Sequence, residues 1–341
     1  MTKIKGQDQF FAFRSELFRY VHDEILLKWP ENDLSNHFDE LLDYTTDGGK
    51  CLRGLLSVCG YLELTGVDPD SDEAKPAYAL GWIQEILQAS FLVADDLMDN
   101  SLLRRGKPCW YVKDNNSYSA VSDSYFLENV IYLIVDHYFE GFPADTVRDI
   151  KQLLHYTTIK TAFGQFIDMY PKEPSLENWN LTVLNKTSYY SIWQPFVSGI
   201  CASQKVPKEV WNSDQLRESL LIAGKLFQCQ DDWIDLYGSS AKTGKVGTDI
   251  QDGKCTWLLG KAMEVANDEQ KRLLKENIGH QDKEKIALVQ KIYSDLNIEK
   301  YCIDHQDSEY ERLKEMFQKI DPRIPSALKD WLLSFLDHRK Y

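Results

Sequence analysis

Long apolar runs are missing from this 341-residue chain: none reaches eighteen residues, so no membrane-spanning helix is expected. The N-terminal stretch MTKIKGQDQFFAFRSELF lacks the uninterrupted apolar segment of a signal peptide and the Arg/Ser-rich, acid-poor character of a transit peptide. Paired cysteines are missing too. The seven at 51, 59, 109, 201, 229, 255 and 302 form no Cys-x-x-Cys pair and no zinc spacing, and their number is odd. The expectation is a reducing, cytoplasmic setting with the thiols buried as small apolar groups. Positive charge is scarce: 39 Lys and Arg stand against 53 Asp and Glu, a net charge of −14. That excess argues against nucleic-acid or anionic-membrane binding, which needs a basic face. An acidic protein can still bind phosphate where metal ions bridge the two.

Low-complexity linkers, tandem short repeats and continuous strand alternation are absent as well. What is present is globular, with 43% hydrophobic and 12% aromatic residues. Apolar positions Phe10, Phe13, Leu17, Val21 and Ile25 recur at helical spacing before a break at Pro30, and Phe38, Leu41 and Leu42 follow. From Leu55 onward the pattern predicts helices over 55–66, 76–98, 119–141, 144–171, 176–203, 214–237, 254–266, 268–277, 282–296, 298–319 and 324–338. Val112-Lys113 is ambiguous. The fold class expected is all-α, a single large helical domain over 1–341 with a central cavity.

Two stretches organise the chain, QASFLVADDLMDNSLLRRGKPCW from Gln88 and FQCQDDWIDLYGSSAKTGKVGTDIQDGKCTW from Phe227. Each places Asp-Asp-x-x-Asp at the end of a long apolar run: Asp95, Asp96 and Asp99, then Asp231, Asp232 and Asp235. On a helix, residues four apart share a face at roughly 6 Å, so each triplet should form one acidic ledge. No basic residue lies within a turn on the same helix, so the neutralising cation must come from elsewhere. Hard carboxylate oxygens favour Mg²⁺ or Mn²⁺, whose remaining positions substrate phosphates fill. A single such match is usually a solvated acidic face. Two copies, each followed by basic residues and glycines, point to a clamp on a diphosphate.

The cations that follow support the clamp. Arg104 and Arg105 lie on a loop closed by Gly106, Lys245 and Lys254 lie in a glycine-spaced loop, and Lys186-Thr187 sits mid-helix. Upstream, Gly48-Gly49-Lys50-Cys51-Leu52-Arg53 joins a glycine turn to two cations, an anion seat if a helix begins there. Alone, that motif is more often a plain turn. Together these groups exceed what one diphosphate needs; two diphosphates imply two substrates and a transferase that activates the leaving one through metal.

The blocks GGKCLRG, LQASFLVADDLMDNSLLRRGKPCWY, GQFID, NKTSYYS and FQCQDDWIDLYGSSAKTGKVGTDIQDGKCTWL, in this order from about Tyr44 on, resemble the eukaryotic farnesyl branch of the trans-prenyl diphosphate synthases. The resemblance implies an all-α homodimer that joins isopentenyl diphosphate to dimethylallyl and then geranyl diphosphate. Three Mg²⁺ ions would take part, with Mn²⁺ able to substitute, held by Asp95, Asp99 and Asp231 and supported by Asp96, Asp232 and Asp235. Arg104, Lys186, Lys245 and Lys254 would grip the allylic diphosphate, with Thr187 and Gln228 orienting it. Lys50, Arg53, Gln88 and Arg105 would seat isopentenyl diphosphate, and Arg339 and Lys340 would close over it.

Ser90 and Phe91, one turn below the first ledge, would set product length. This branch usually carries aromatics at both, so Ser90 leaves open a longer product unless Tyr125, Phe126, Tyr190 or Trp193 refills the space. Leu52, Leu103, Ala162, Gln194 and Gly253 are further departures from the pattern, and none removes a metal ligand or phosphate cation. A paralogue making geranyl or geranylgeranyl diphosphate, a terpene cyclase on the same fold, and a non-catalytic partner of another synthase are the rival readings. Retention of the isopentenyl seat argues against the cyclase, and intact aspartates argue against the inactive partner.

Overall fold

Apolar residues at helical spacing fold here into helices joined by short turns. The computed structural model describes residues 3–28, 33–113, 117–170, 173–238 and 247–339. In order the helices are α1 (Gln7–Tyr20), α2 (Asp33–Thr46), α3 (Leu52–Thr65), α4 (Lys75–Met98), α5 (Ser119–Tyr138), α6 (Ala144–Met169), α7 (Leu176–Val183), α8 (Gln194–Ser203), α9 (Lys208–Trp211) and α10 (Asp214–Tyr237). They continue with α11 (Trp257–Val265), α12 (Asp268–Asn277), α13 (Lys283–Asp295), α14 (Ile298–Gln318) and α15 (Ser326–Asp337). The all-α expectation holds, and the boundaries follow local chemistry. The Thr256 hydroxyl accepts from the Leu259 amide, so α11 starts at Trp257 and not at Lys254. Asn267 and Gln270 close a reciprocal capping box at α12.

Three features were not expected. After α1 the helix widens through a π turn, Val21–Ile25, and then tightens through a 3₁₀ turn, Leu26–Lys28. Between α7 and α8 the helix widens to π geometry over Leu184–Trp193, where one unbroken α-helix over 176–203 was expected. Leu103–Arg104 (β1) pairs antiparallel with Lys107–Pro108 (β2). Their connection is Arg105-Gly106, both at positive φ (52° and 75°), the conformation a two-residue hairpin needs. The ambiguous Val112-Lys113 is a helical turn, both amides donating to the Cys109 carbonyl.

The chain divides into two compact units, and the boundaries between them fall inside α6, α10 and α15, within the π stretch and in the connection between α14 and α15. The first holds Met1–Thr158, Tyr190–Arg217 and Asp321–Leu332. There α4 packs against α5, and α3 lies between α4 and α8. Glycines permit both contacts: a Cβ on Gly81 would sit 3.1 Å from the Gly54 carbonyl oxygen, and one on Gly199 would sit 2.1 Å from that of Ser57. The Phe10 ring fills the space beside Gly54 and Gly81, and its carbonyl accepts from the Trp82 indole at 2.9 Å. The second unit holds Ile159–Tyr189, Glu218–Ile320 and Leu333–Tyr341. Its core gathers Trp179, Cys229, Trp233, Trp257, Leu259, Val289, Tyr293 and Ile298, with α11 packed on α7 and α14. Among the described residues, no helix is long and apolar enough to cross a membrane.

Candidate active site

In the first unit, the first acidic motif ends α4. The Asp99 amide donates to the Asp95 carbonyl at 2.8 Å, and Asn100 at φ 54° terminates the helix. Asp95 and Asp99 are partly exposed, whereas Asp96 is 3% exposed. Arg104 from β1 grips Asp96 with Nε at 2.8 and 2.9 Å and Nη2 at 2.6 Å, and reaches Asp95 at 3.6 Å. Burial disfavours that guanidinium's charge, but Asp96 and then Asp95 more than compensate and hold its pKa above the ordinary value.

The glycine turn before α3 lies in the same unit. Gly48 (φ 74°) and Cys51 (φ 48°) are left-handed and turn the backbone so that α3 begins at Leu52. Lys50 is exposed, while Arg53 is buried, donates Nη2 to Ser191 Oγ at 2.6 Å and lies 4.5 Å over the Tyr190 ring. Arg105 donates to the Asp47 carbonyl at 2.6 Å, and its guanidinium lies against Gly49, where a Cβ would come within 3.1 Å. Burial lowers its pKa, offset in part by Glu85. Glu85, fully enclosed on α4, accepts from the Gly54 amide at 2.8 Å and faces the charge of Arg53; burial nonetheless raises its pKa. Gln88 is half-buried one turn further along α4. These groups can hold a diphosphate by side-chain cations and the amides of an opening helix.

Phe91 meets the Tyr190 ring edge-on at 5.3 Å. Ser90 is 2% exposed, its hydroxyl donating to the Leu87 carbonyl and its own carbonyl accepting from Ser124. Of the residues expected to refill the space, Tyr190 meets Phe91, while Phe126 stacks on Phe38 at 4.1 Å, Tyr125 is 67% exposed and Trp193 packs against Tyr156. Gln194, where the resemblance suggests an apolar residue, is buried with its amide donating to Ser198. Gly253 has φ 69°, a conformation glycine and asparagine both tolerate, so this departure leaves the turn intact.

In the second unit, Asp231 is exposed and bonded to Arg339 at 2.8 Å, Asp232 is buried, and Asp235 accepts from the Asp249 amide at 3.1 Å. Three donors converge on Asp232: the Trp179 indole and Trp257 amide at 2.8 Å, and the Gln228 amide at 2.9 Å. Burial outweighs them and raises its pKa to about 7. The Thr187 hydroxyl donates to Gln228 at 3.1 Å, so Thr187, Gln228 and Asp232 form one chain of hydrogen bonds. Lys186 and Lys254 both bind one oxygen of Asp168, at 2.7 and 2.9 Å. The π stretch bearing Lys186 and Thr187 lies against Gly164, whose Cβ would sit 2.1 Å from the Lys186 nitrogen, and against Gly224, whose Cβ would sit 2.6 Å from Ser188.

The expectation of two open acidic ledges is thereby corrected. The middle aspartate of each motif turns inward, Asp96 to Arg104 and Asp232 to two tryptophans and a glutamine. Among the described residues, no three acidic, His or Cys side chains gather closely enough to hold a metal by themselves. Asp95 and Asp99 in the first unit, and Asp231 in the second, offer the hard oxygen donors that suit a divalent ion taking one or two carboxylates and completing its shell with ligand oxygens. Lys245 and Lys340 lie outside the described residues. Sequence reasoning missed Glu85 and Asp168 as partners of the cations. The signal for Glu85 was a lone acid inside the apolar run WIQEIL.

A polyprenyl synthetase family model matches residues 35–296. Farnesyl pyrophosphate synthase of Gallus gallus is 34% identical over 333 residues, covering 95% of this chain and 90% of that protein. Farnesyl pyrophosphate synthase 1 of Lupinus albus is 37% identical, with coverage of 96% and 94%, and the Saccharomyces cerevisiae enzyme is 34% identical, with 92% of each. Among solved structures, T. brucei farnesyl diphosphate synthase complexed with a bisphosphonate superposes with a TM-score of 0.85 at 29% identity, covering 98% of this chain and 99% of that one.

Proposed function

Since the chain belongs to the polyprenyl synthetase family, we propose that it condenses isopentenyl diphosphate with allylic diphosphates, dimethylallyl and then geranyl, to give farnesyl diphosphate. The observation that carries this reading at the residue level is the shared design of the two motifs: a middle aspartate locked inward and outer carboxylates left at the surface. The enzyme uses divalent metal ions. Asp95, Asp99 and Asp231 would hold magnesium or manganese, three ions in all, whose contribution is to neutralise charge on the departing diphosphate.

The residues of the chain do the rest. Lys186 and Lys254, poised on Asp168, can turn to the allylic diphosphate, with Lys245 and Arg104, the latter anchored on Asp96, as the further cations the resemblance assigns to it. Thr187 and Gln228 are placed by Asp232 to orient the allylic group. Lys50, Arg53, Gln88 and Arg105 seat isopentenyl diphosphate, whose double bond forms the new carbon–carbon bond as the allylic carbon–oxygen bond breaks. The proton released passes to the departing pyrophosphate. Closure of the tail through Arg339 and Lys340 excludes water that would quench the cation. Phe91 on Tyr190 limits chain length; buried Ser90 lies beside it.

Association as a homodimer is supported by an exposed apolar stripe on α6, Tyr156, Ile159, Phe163 and Phe166, spaced three and four residues apart on one face. A monomer mass by sedimentation equilibrium would rule it out. Seven free cysteines support a reducing, cytoplasmic location, and the 1–341 chain acting as one domain is part of the same reading. The test is chromatography of products made from isopentenyl diphosphate with each allylic primer. Farnesyl diphosphate is expected from dimethylallyl and from geranyl diphosphate. Hydrocarbon from farnesyl diphosphate alone would mean a cyclase, and no turnover would mean a non-catalytic partner.

A further inference from the structure

We propose that Asp123 is the positioning residue that fixes the reach of Arg104 and Arg105. Its side chain, on α5, is 1% exposed. One carboxylate oxygen meets His37 Nε2 at 2.7 Å and the other accepts from the Trp110 indole at 2.7 Å. Neither oxygen is directed at a substrate cation, and both are spent on neighbouring elements.

Trp110 is the important one of the two, because it ends the segment that carries the arginines. The hairpin β1–β2 has two residues per strand, too few to hold its own position. Its two arginines serve different places: Arg104 the first acidic motif, Arg105 the glycine turn. Exposed ties also restrain it, Lys107 to Asp47 at 2.5 Å and the Tyr44 hydroxyl to the Pro108 carbonyl at 2.7 Å. Packing beneath it leaves space, a cavity of about 60 Å³ lined by Tyr44, Ala89, Val93, Arg104, Arg105 and Trp110. The Arg104–Asp96 pair holds the tip of one arginine on α4 but does not fix the chain that leaves the hairpin. That exit is placed by the buried, charge-assisted bond from Trp110 to Asp123.

This rests on the reading of Arg104 and Arg105 as diphosphate-binding residues, and the test separates the two. Trp110→Phe deletes the indole donor and keeps the ring; Asp123→Leu deletes both acceptors. Each should raise KM for isopentenyl and allylic diphosphates about tenfold, the worth of one buried charge-assisted hydrogen bond, with a smaller effect on kcat. Asp123→Asn, whose carbonyl can still accept from Trp110, should recover most of the loss. Val135→Ala, a buried truncation on the same helix, controls for stability alone and should leave KM unchanged. Arg105→Ala should raise the isopentenyl KM by less in the Trp110→Phe background than in the wild type. Unchanged KM in Trp110→Phe and Asp123→Leu, or an equal rise in Val135→Ala, would overturn the proposal. If Arg105→Ala alone leaves KM unchanged, the seat itself is misassigned; if it raises KM while Trp110→Phe does not, the seat stands and the role of Asp123 falls.

Discussion

Asp168 shows what single residues contribute. It was not singled out from the sequence because nothing within helical reach marks an aspartate in the last turn of α6 as the partner of lysines 18 and 86 residues away. Burial is the largest influence on its carboxyl, yet Lys186 and Lys254 together outweigh it and hold the pKa below the ordinary 3.8. A depressed pKa means stability that is present above about pH 3.8 and lost as pH falls through the folded value. Asp168→Asn should therefore be less stable than wild type by ~2–4 kcal/mol at pH 7, because it leaves two half-enclosed ammonium groups facing a neutral amide. Urea denaturation across pH should show that gap closing below about pH 3.8. A gap that stays constant from neutral to acid would remove the pair from the account. The same limit hid Glu85 and Asp123: residue type was legible, the partner was not.

At the scale of elements, most of the fold could be read directly, since apolar spacing marks helices and side-chain caps such as Ser175 mark their starts, although the Thr256 cap was passed over and α11 was expected three residues early. The π stretch could not, because every residue from Leu184 to Trp193 is buried or half-buried, so no polar face marks the change of turn. Gly164 and Gly224 bring α6 and α10 against its backbone. Gly164→Ala places a methyl 2.1 Å from the Lys186 nitrogen and 2.3 Å from its Cα, atoms that cannot yield without moving the lysine. We expect a loss of ~1–3 kcal/mol in stability and a raised KM for the allylic diphosphate, with that for isopentenyl diphosphate less affected. Unchanged values in both would show that Lys186 does not depend on this contact. The hairpin escaped notice for a different reason: Arg105-Gly106 is flanked by neither of the alternating apolar runs that announce paired strands.

For the whole molecule, the acidic balance and the two aspartate motifs identified the chemistry, and their spacing placed six carboxylates at helix ends. It did not reveal that two of the six turn inward, Asp96 to Arg104 eight residues on and Asp232 to Trp179 and Trp257, 53 and 25 residues away. On the proposed reading each motif offers an ion only one or two carboxylates, and the ion would need a diphosphate to complete its shell, so metal and diphosphate should bind together or weakly. Electron paramagnetic resonance of Mn²⁺ tests this most directly, titrated into the protein with and without inorganic pyrophosphate, for wild type, Asp95→Ala and Asp231→Ala. Tight Mn²⁺ binding should appear in wild type when pyrophosphate is present and be weakened at least tenfold by either substitution, with helical circular dichroism retained. Equal Mn²⁺ binding in all three proteins, or tight binding that ignores pyrophosphate, would contradict it.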